Sequence, residues 1–354
     1  MSMRSVLLII PAALAALALA AGATGANKPG DPCSKEGEIA DLNGGKIQCI
    51  NGLWAPYAGA GPSQPGSGST APSTSTVKTA AIFKRVGIAL SADTFGSDGK
   101  QVADVTAVRL ANGRVRLYAF VAPSGIRSAL STDATGTKFV ADPGVRLDWA
   151  PGGQTRAYAL GGSRVRLFYL DGGSIKSAIS PDGLTFTDEG ARITTADAGF
   201  EPGGLSVVKL AGGYRGYFSN LEKPGIRAER IARTATSPDM LKWTVGPYVA
   251  GAQGSIAKGA SHPFAIASGK TIALYYNGDR GSFYGLLRST STDGVTFKNE
   301  RAIMKTAGDP QLLALPGKTL LYYGEKIEGK GFGVAVARTT VNPVTGQGAG
   351  SAKK

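Results

Sequence analysis

The hydrophobic positions of this chain fall into short, nearly continuous runs separated by glycine-rich turns. Five of these runs carry one text: VRLYAF (Val115 to Phe120), VRLFYL (Val165 to Leu170), YRGYFS (Tyr214 to Ser219), IALYYN (Ile272 to Asn277) and LLYYGE (Leu320 to Glu325). They recur at offsets of 50, 49, 58 and 48 residues. Apolar runs of this length, rich in Val, Tyr and Phe and bounded by turn residues, predict strands. After four of the cores comes a polar turn followed by an aromatic: STDATGTKF from Ser131, SPDGLTF from Ser180, SPDMLKW from Ser237 and STDGVTF from Ser291. Each unit therefore predicts four strands, roughly Thr155 to Ala159, Arg164 to Leu170, Ile175 to Ser180 and Leu184 to Thr194 in the second. About 50 residues per four-stranded unit is the spacing of propeller blades.

The fifth unit supplies only three strands, ending at GVAVARTTV. Far upstream, AIFKRVGIALSADTF (Ala81 to Phe95) matches fourth-strand text such as KFVADPGVRLDW and TFKNERAIMKT. An N-terminal strand that completes the last blade would close the ring and leave no long unpaired edge. The alternative, an open array of hairpin repeats, needs capping units that the sequence does not contain. The expected fold class is all-β, a five-bladed β-propeller closed by an N-terminal strand and preceded by a small disulfide-stapled module.

The flanks set the rest of the layout. Residues 1–26 have a basic start at Arg4, an apolar stretch from Val6 to about Ala21 and small residues before Ala23 or Ala26, the pattern of a secretory signal peptide. No later run is long and apolar enough to span a bilayer, so a secreted protein, extracellular or periplasmic, is expected. Residues 27–57 hold the only two cysteines, Cys33 and Cys49, and in an oxidising compartment these predict a disulfide. Residues 58–79 read as a Pro/Gly/Ser/Thr linker, 80–341 as the propeller and 342–354 as a disordered tail.

The formal net charge is +14, and loss of the signal removes Arg4 alone and leaves +13. Such a surface attracts anionic polymers, and a polysaccharide or other anionic wall polymer is the expected partner. The basic residues are scattered, which equally fits a merely solubilising surface. No nucleic-acid partner is expected, and the protein is expected to be a monomer. Walker loops, dinucleotide fingerprints and zinc motifs are absent from the sequence.

Ligands of a propeller gather where the innermost strands open onto the central channel. Counting back from the five cores places Asp104, Gln154, Glu201, His262 and Asp309 at those openings. His262 is the only histidine, and Glu201, His262 and Asp309 are each followed by proline, which fixes the chain as it enters the strand. Paired carboxylates are the equipment of glycoside hydrolysis, which needs one protonated and one ionised group roughly 5 to 9.5 Å apart. The bland alternative is that acids at blade starts cap backbone amides. Trp149 and Phe283 lie near blade entrances, where they could stack on sugar rings. No cofactor is expected; a channel-bound calcium ion or a water beside His262 is the one accessory the funnel would accommodate.

Five blades, acid-proline pairs at the entrances and SxDGxTF turns resemble the five-bladed superfamily that includes glycoside hydrolase families 43, 62, 32 and 68. The resemblance implies that Asp104 matches the first-blade base and Glu201 the general acid, with His262 matching a channel histidine. Asp309 has no counterpart in that pattern and is expected to orient, with His262. The turns are also similar to the Asp-box of sialidases, which implies a structural role for Asp133, Asp182, Asp239 and Asp293. The expected function is a secreted glycoside hydrolase, with catalytic residues Asp104, Glu201 and Asp309 and substrate contacts from His262, Gln154, Trp149 and Phe283. The rival reading is a non-catalytic propeller that binds glycans or cell wall; a third is an adhesion module carried on the linker.

Overall fold

The computed structural model describes residues 38–42, 45–50, 53–56, 82–96, 101–148, 153–220, 232–251, 260–279 and 283–346. Cys33, Trp149, the signal segment and the whole 58–79 linker lie outside the described residues. The chain divides into two units, Met1–Thr74 and Ser75–Lys354. The first holds a three-stranded antiparallel sheet, Ile39–Leu42, Gly45–Ile50 and Leu53–Pro56, in sequential order.

The second unit is a five-bladed β-propeller. Blade one is Val102–Arg109, Val115–Val121, Gly125–Ser131 and Phe139–Ala141. Blade two runs Arg156–Ala159, Val165–Asp171, Ser174–Ser180 and Thr187–Thr194. Blade three is Ser206–Leu210, Gly213–Ser219, Ala232–Ser237 and Thr244–Tyr248. Blade four comprises Ser261–Ser268, Thr271–Asp279, Tyr284–Ser291 and Thr296–Lys305. Blade five is Gly308–Leu315, Lys318–Ile327 and Gly331–Thr339, and its outermost strand is Lys84–Leu90, paired antiparallel with Gly331–Thr339. Arg85 of that strand also pairs with Glu325.

The repeated core is the second strand of each blade, and both its faces are buried, which is why its text is continuous rather than alternating. In blade one, Leu117 and Ala119 pack against blade five, while Tyr118 packs with Leu167 and Tyr169 of blade two. The same alternation gives one apolar cluster at each blade-to-blade contact, five in all among the described residues. Each fully buried Leu or Tyr contributes about 1.5–3 kcal/mol by leaving water.

The arginine and tyrosine of the core text have a second task. Tyr118 donates its hydroxyl to the Gly183 carbonyl of the next blade's polar turn at 2.8 Å, Tyr217 to Gly294 at 2.9 Å, and Tyr322 to Gly136 at 2.7 Å. Arg116, Arg166 and Arg215 reach the Asp182, Asp239 and Asp293 carbonyls of the same turns. Each blade thus latches the S-x-D turn of its successor. Blade five has no such turn in its text, yet Tyr275 finds the Pro343 carbonyl at 2.7 Å. There Asn342 accepts from the Val344 and Thr345 amides as Asp182 accepts from those of Leu184 and Thr185, so residues after the last strand build a fifth turn.

Candidate functional site

The inner strands run from the blade entrances to the opposite end of the ring, and three of them break their ladder at the same place. The register skips between Ala103 and Thr106, between Ser261 and Phe264, and between Gly308 and Gln311. The bulged residues are Asp104, His262 and Asp309, each with its following residue. Such a bulge re-aims a side chain out of the strand's alternation. Asp104 (φ 52°), Gln154 (φ 47°), His262 (φ 49°) and Asp309 (φ 50°) all adopt the left-handed region. A non-glycine residue there costs on the order of 1 kcal/mol, a strain that clusters at functional sites.

The three bulges bring their side chains together. The Nε2 atom of His262 lies 3.6 Å from Asp104 Oδ1 and 3.6 Å from Asp309 Oδ1. The three side chains are 14 to 20% exposed, open enough to meet a ligand. Asn277, the last residue of the IALYYN core, holds the group from behind. Its Oδ1 accepts the Asp309 amide at 2.9 Å, which fixes the orientation of its own amide. Its Nδ2 then donates to Asp309 Oδ1 at 3.1 Å and faces His262 Nδ1 at 3.4 Å. With Nδ1 taken as acceptor, the His262 proton sits on Nε2, between the two carboxylates.

Burial, and then the nearby Asp309 carboxylate, push the Asp104 carboxyl above the usual range; His262, the Gln154 backbone and Arg156 pull the other way without reversing it. Asp104 approaches its neighbour so closely that a Cβ on Gly153 would fall 2.3 Å from its Oδ2, so only glycine fits there. Beneath the trio lies Arg156, 1% exposed. Its guanidinium donates to the Thr155 carbonyl at 3.1 Å and the Pro263 carbonyl at 3.4 Å, with its carbon 5.8 Å from the Phe264 ring centre. Its Nε has no hydrogen-bond partner. Burial depresses its pKa, while Asp104 and Asp309 act to keep it charged.

The other expected site residues within the described set are not among these three clustered side chains. Gln154 is buried, and its Oε1 accepts from the Gly204 amide at 2.7 Å, a backbone role. Phe283 packs against the apolar cluster between blades three and four. Glu201 is half-buried and is not one of the acid or histidine side chains whose ligand atoms lie within 4.8 Å of one another; those are Asp104, His262 and Asp309. In blade three Val207 pairs with Gly216 as Ala107 pairs with Leu117 in blade one, so the position that matches Asp104 is Gly204, three residues past Glu201. The compact set of Asp104, His262 and Asp309 is also the one group among the described residues with the geometry to hold a small divalent cation.

The ends of the blades treat their aspartates in the opposite way. Asp182 Oδ1 accepts from the Leu184 and Thr185 amides at 2.7 and 2.8 Å, and these bonds hold its carboxyl down at about 2. Asp239 and Asp293 make the same pair of bonds, Asp133 bonds the Thr135 amide and hydroxyl, and all three are also lowered. These four are turn-forming residues.

No protein family matches the sequence, and no curated protein does. Among solved structures the protein is similar to a thermostable family-43 glycoside hydrolase, at 13% identity over 67% of its own length and 89% of that enzyme's, with a TM-score of 0.52. It is similar to RS223 β-xylosidase at 13% identity, covering 68% of its own length and 93% of the other's, with a TM-score of 0.50. At these identities the likeness is one of fold: a five-bladed β-propeller arrangement shared with glycoside hydrolases.

Proposed function

We propose that the chain is a secreted glycoside hydrolase that acts on a polysaccharide with Asp104 and Asp309 as its carboxylate pair. The observation that carries this reading is the convergence of two aspartates on one imidazole through bulges of the same design. The roles differ from those the sequence suggests. Burial and Asp309 favour a proton on Asp104, which suits the group that donates to the leaving oxygen. Asp309, held by the Asn277 amide, suits the ionised partner. Their ligand oxygens lie within 4.8 Å, which resembles the separation of about 5 Å in double-displacement glycosidases.

In that chemistry the Asp104 proton passes to the glycosidic oxygen as the bond to the anomeric carbon breaks, and an Asp309 oxygen forms the glycosyl ester. Asp104, now ionised, takes a proton from water, whose oxygen attacks the anomeric carbon and frees Asp309. His262 Nε2–H steadies whichever carboxylate bears the charge. A divalent cation on the same three ligands would neutralise the carboxylates and hold substrate oxygens instead.

The second reading, a non-catalytic glycan-binding propeller, is favoured by Gln154 and Gly204, which leave two of the five entrance positions without a titratable group. The test is a polysaccharide panel scored for products and for binding with the exported protein. Hydrolysis that falls in Asp104→Asn and Asp309→Asn supports the enzyme. Retained hydrolysis in both variants overturns the assignment, and binding without products in the parent moves the chain to the second reading.

A further inference from the structure

At the far end of the ring the inner strands of blades three, four and five, with the turn after the last strand, line an open pocket of about 940 Å³. Its wall on the blade-four inner strand runs from Phe264, two residues past His262, to Ser268, six residues past and about 20 Å from it. Phe264 lines it, and the Arg156 guanidinium stacked on that ring separates it from the entrance site. Its volume is that of a pocket for a drug-sized molecule, and its walls are mainly apolar, with Phe264, Ile266, Leu312 and Val341 among them. One wall is the fifth turn after the last strand, pinned by the Tyr275 hydroxyl on Pro343 O and by Arg288, which donates to Val344 O at 2.9 Å.

The charged residues on the lining of this cavity have one sign. Lys209 and Lys318 line it, and no Asp or Glu does. Lys209 is exposed; Lys318 is half-buried, donates to the Thr135 carbonyl at 3.0 Å, and lies close enough to Asp133, outside the lining, to help lower its carboxyl. We propose that this cavity is a second ligand site, independent of the carbohydrate site, for a small anionic amphiphile: an apolar or aromatic body within the walls and a carboxylate or sulfonate at Lys209 and Lys318.

The test uses 8-anilinonaphthalene-1-sulfonate and its neutral analogue N-phenyl-1-naphthylamine, titrated by fluorescence into the full-length exported protein. The sulfonate should bind saturably at one site, and about tenfold more tightly than the neutral analogue, the worth of a charge-assisted contact. Lys209→Met with Lys318→Met should remove that tenfold advantage and leave the neutral analogue unchanged. Ala314→Trp, at an exposed alanine on the wall, should abolish binding of both probes. Non-saturable binding, or variants that melt like the parent and bind each probe as tightly as the parent does, would show the cavity to be a packing gap only and overturn the proposal. Should Ala314→Trp fail to fold, the lysine variants alone decide it.

Discussion

Aspartates stand at both ends of this ring, and the two sets are held in opposite ways. At the polar turns, Asp182, Asp239 and Asp293 recur with the repeat, accept two backbone amides each and lose their protons easily. At the entrances, Asp104 and Asp309 share their positions with a histidine, a glutamine and a glycine, sit in left-handed backbone and face each other across one imidazole. A residue that recurs in every unit solves a problem every unit has, here the closing of a turn. At four of the five entrances the residue differs while the left-handed backbone stays the same, which leaves the side chain free to serve the molecule as a whole. The strain is spent where the chemistry differs, not where the fold repeats.

The comparison breaks most sharply on catalysis. Asp104→Asn and Asp309→Asn should each lower turnover by roughly a hundredfold or more, because each removes a proton-transfer or bond-forming partner. Asp182→Asn should leave turnover intact, and steady-state rates on the best polysaccharide of the panel give the answer. Equal losses at both ends would erase the distinction.

The next effect concerns the latch. A Cβ at Gly183 would lie 2.9 Å from the Tyr118 hydroxyl. In the one turn where methionine stands in this place, Met240 (φ 65°), the core strand of the preceding blade carries Phe168 instead of tyrosine, and the two pack in one cluster. Gly183→Met should therefore cost about 2 kcal/mol through overpacking and backbone strain. Adding Tyr118→Phe should return part of that, although Tyr118→Phe alone should cost about 1 kcal/mol by stranding the Gly183 carbonyl. A double-mutant cycle from denaturant melts measures the coupling, and strict additivity would refute the latch.

The smallest effect has opposite signs at the two ends. The lowered Asp182 carboxyl adds stability above its unfolded value near 4, and this is lost as pH falls toward about 2. The melting-temperature deficit of Asp182→Asn should accordingly be present at pH 7 and shrink at pH 2.5. The Asp104 carboxyl is raised, so it adds stability below its unfolded value and loses it as pH climbs through its folded one. Asp104→Asn should melt above the parent at pH 7 and level with it at pH 3.

Much of this is legible in the sequence because it repeats. Five cores about 50 residues apart specify five blades, and the match of Ala81 to Phe95 to fourth-strand text identifies a strand that lies, in the structure, beside Gly331–Thr339. The site is legible only in part. Asp104, His262 and Asp309 are reached by counting, but the same count stops at Glu201 in blade three, where the chain runs on through Gly203 and Gly204 before its ladder begins. Arg156 leaves a trace in the sequence: a cation in QTRAY, where the other inner strands read VTAV, LSVV, PFAI and PQLL. Asn277 closes a core whose other copies end in Phe120, Leu170, Ser219 and Glu325, and only the fold reveals that its neighbour is Asp309. The fifth turn is hidden because Asn342 and Pro343 replace Asp and Gly while the backbone keeps the same bonds.

The pairing of Lys84–Leu90 with Gly331–Thr339 makes the first propeller strand to be synthesised the last to be used. Arg85 and Glu325, which meet across this seam, are 240 residues apart in the chain. Distance along the chain adds little to the equilibrium cost, since doubling a loop adds only about 0.6 kcal/mol of closure entropy. It weighs on time instead, because contacts of high sequence separation slow the search for the native state. The Lys84–Leu90 strand can find its place only once Gly331–Thr339 has been made.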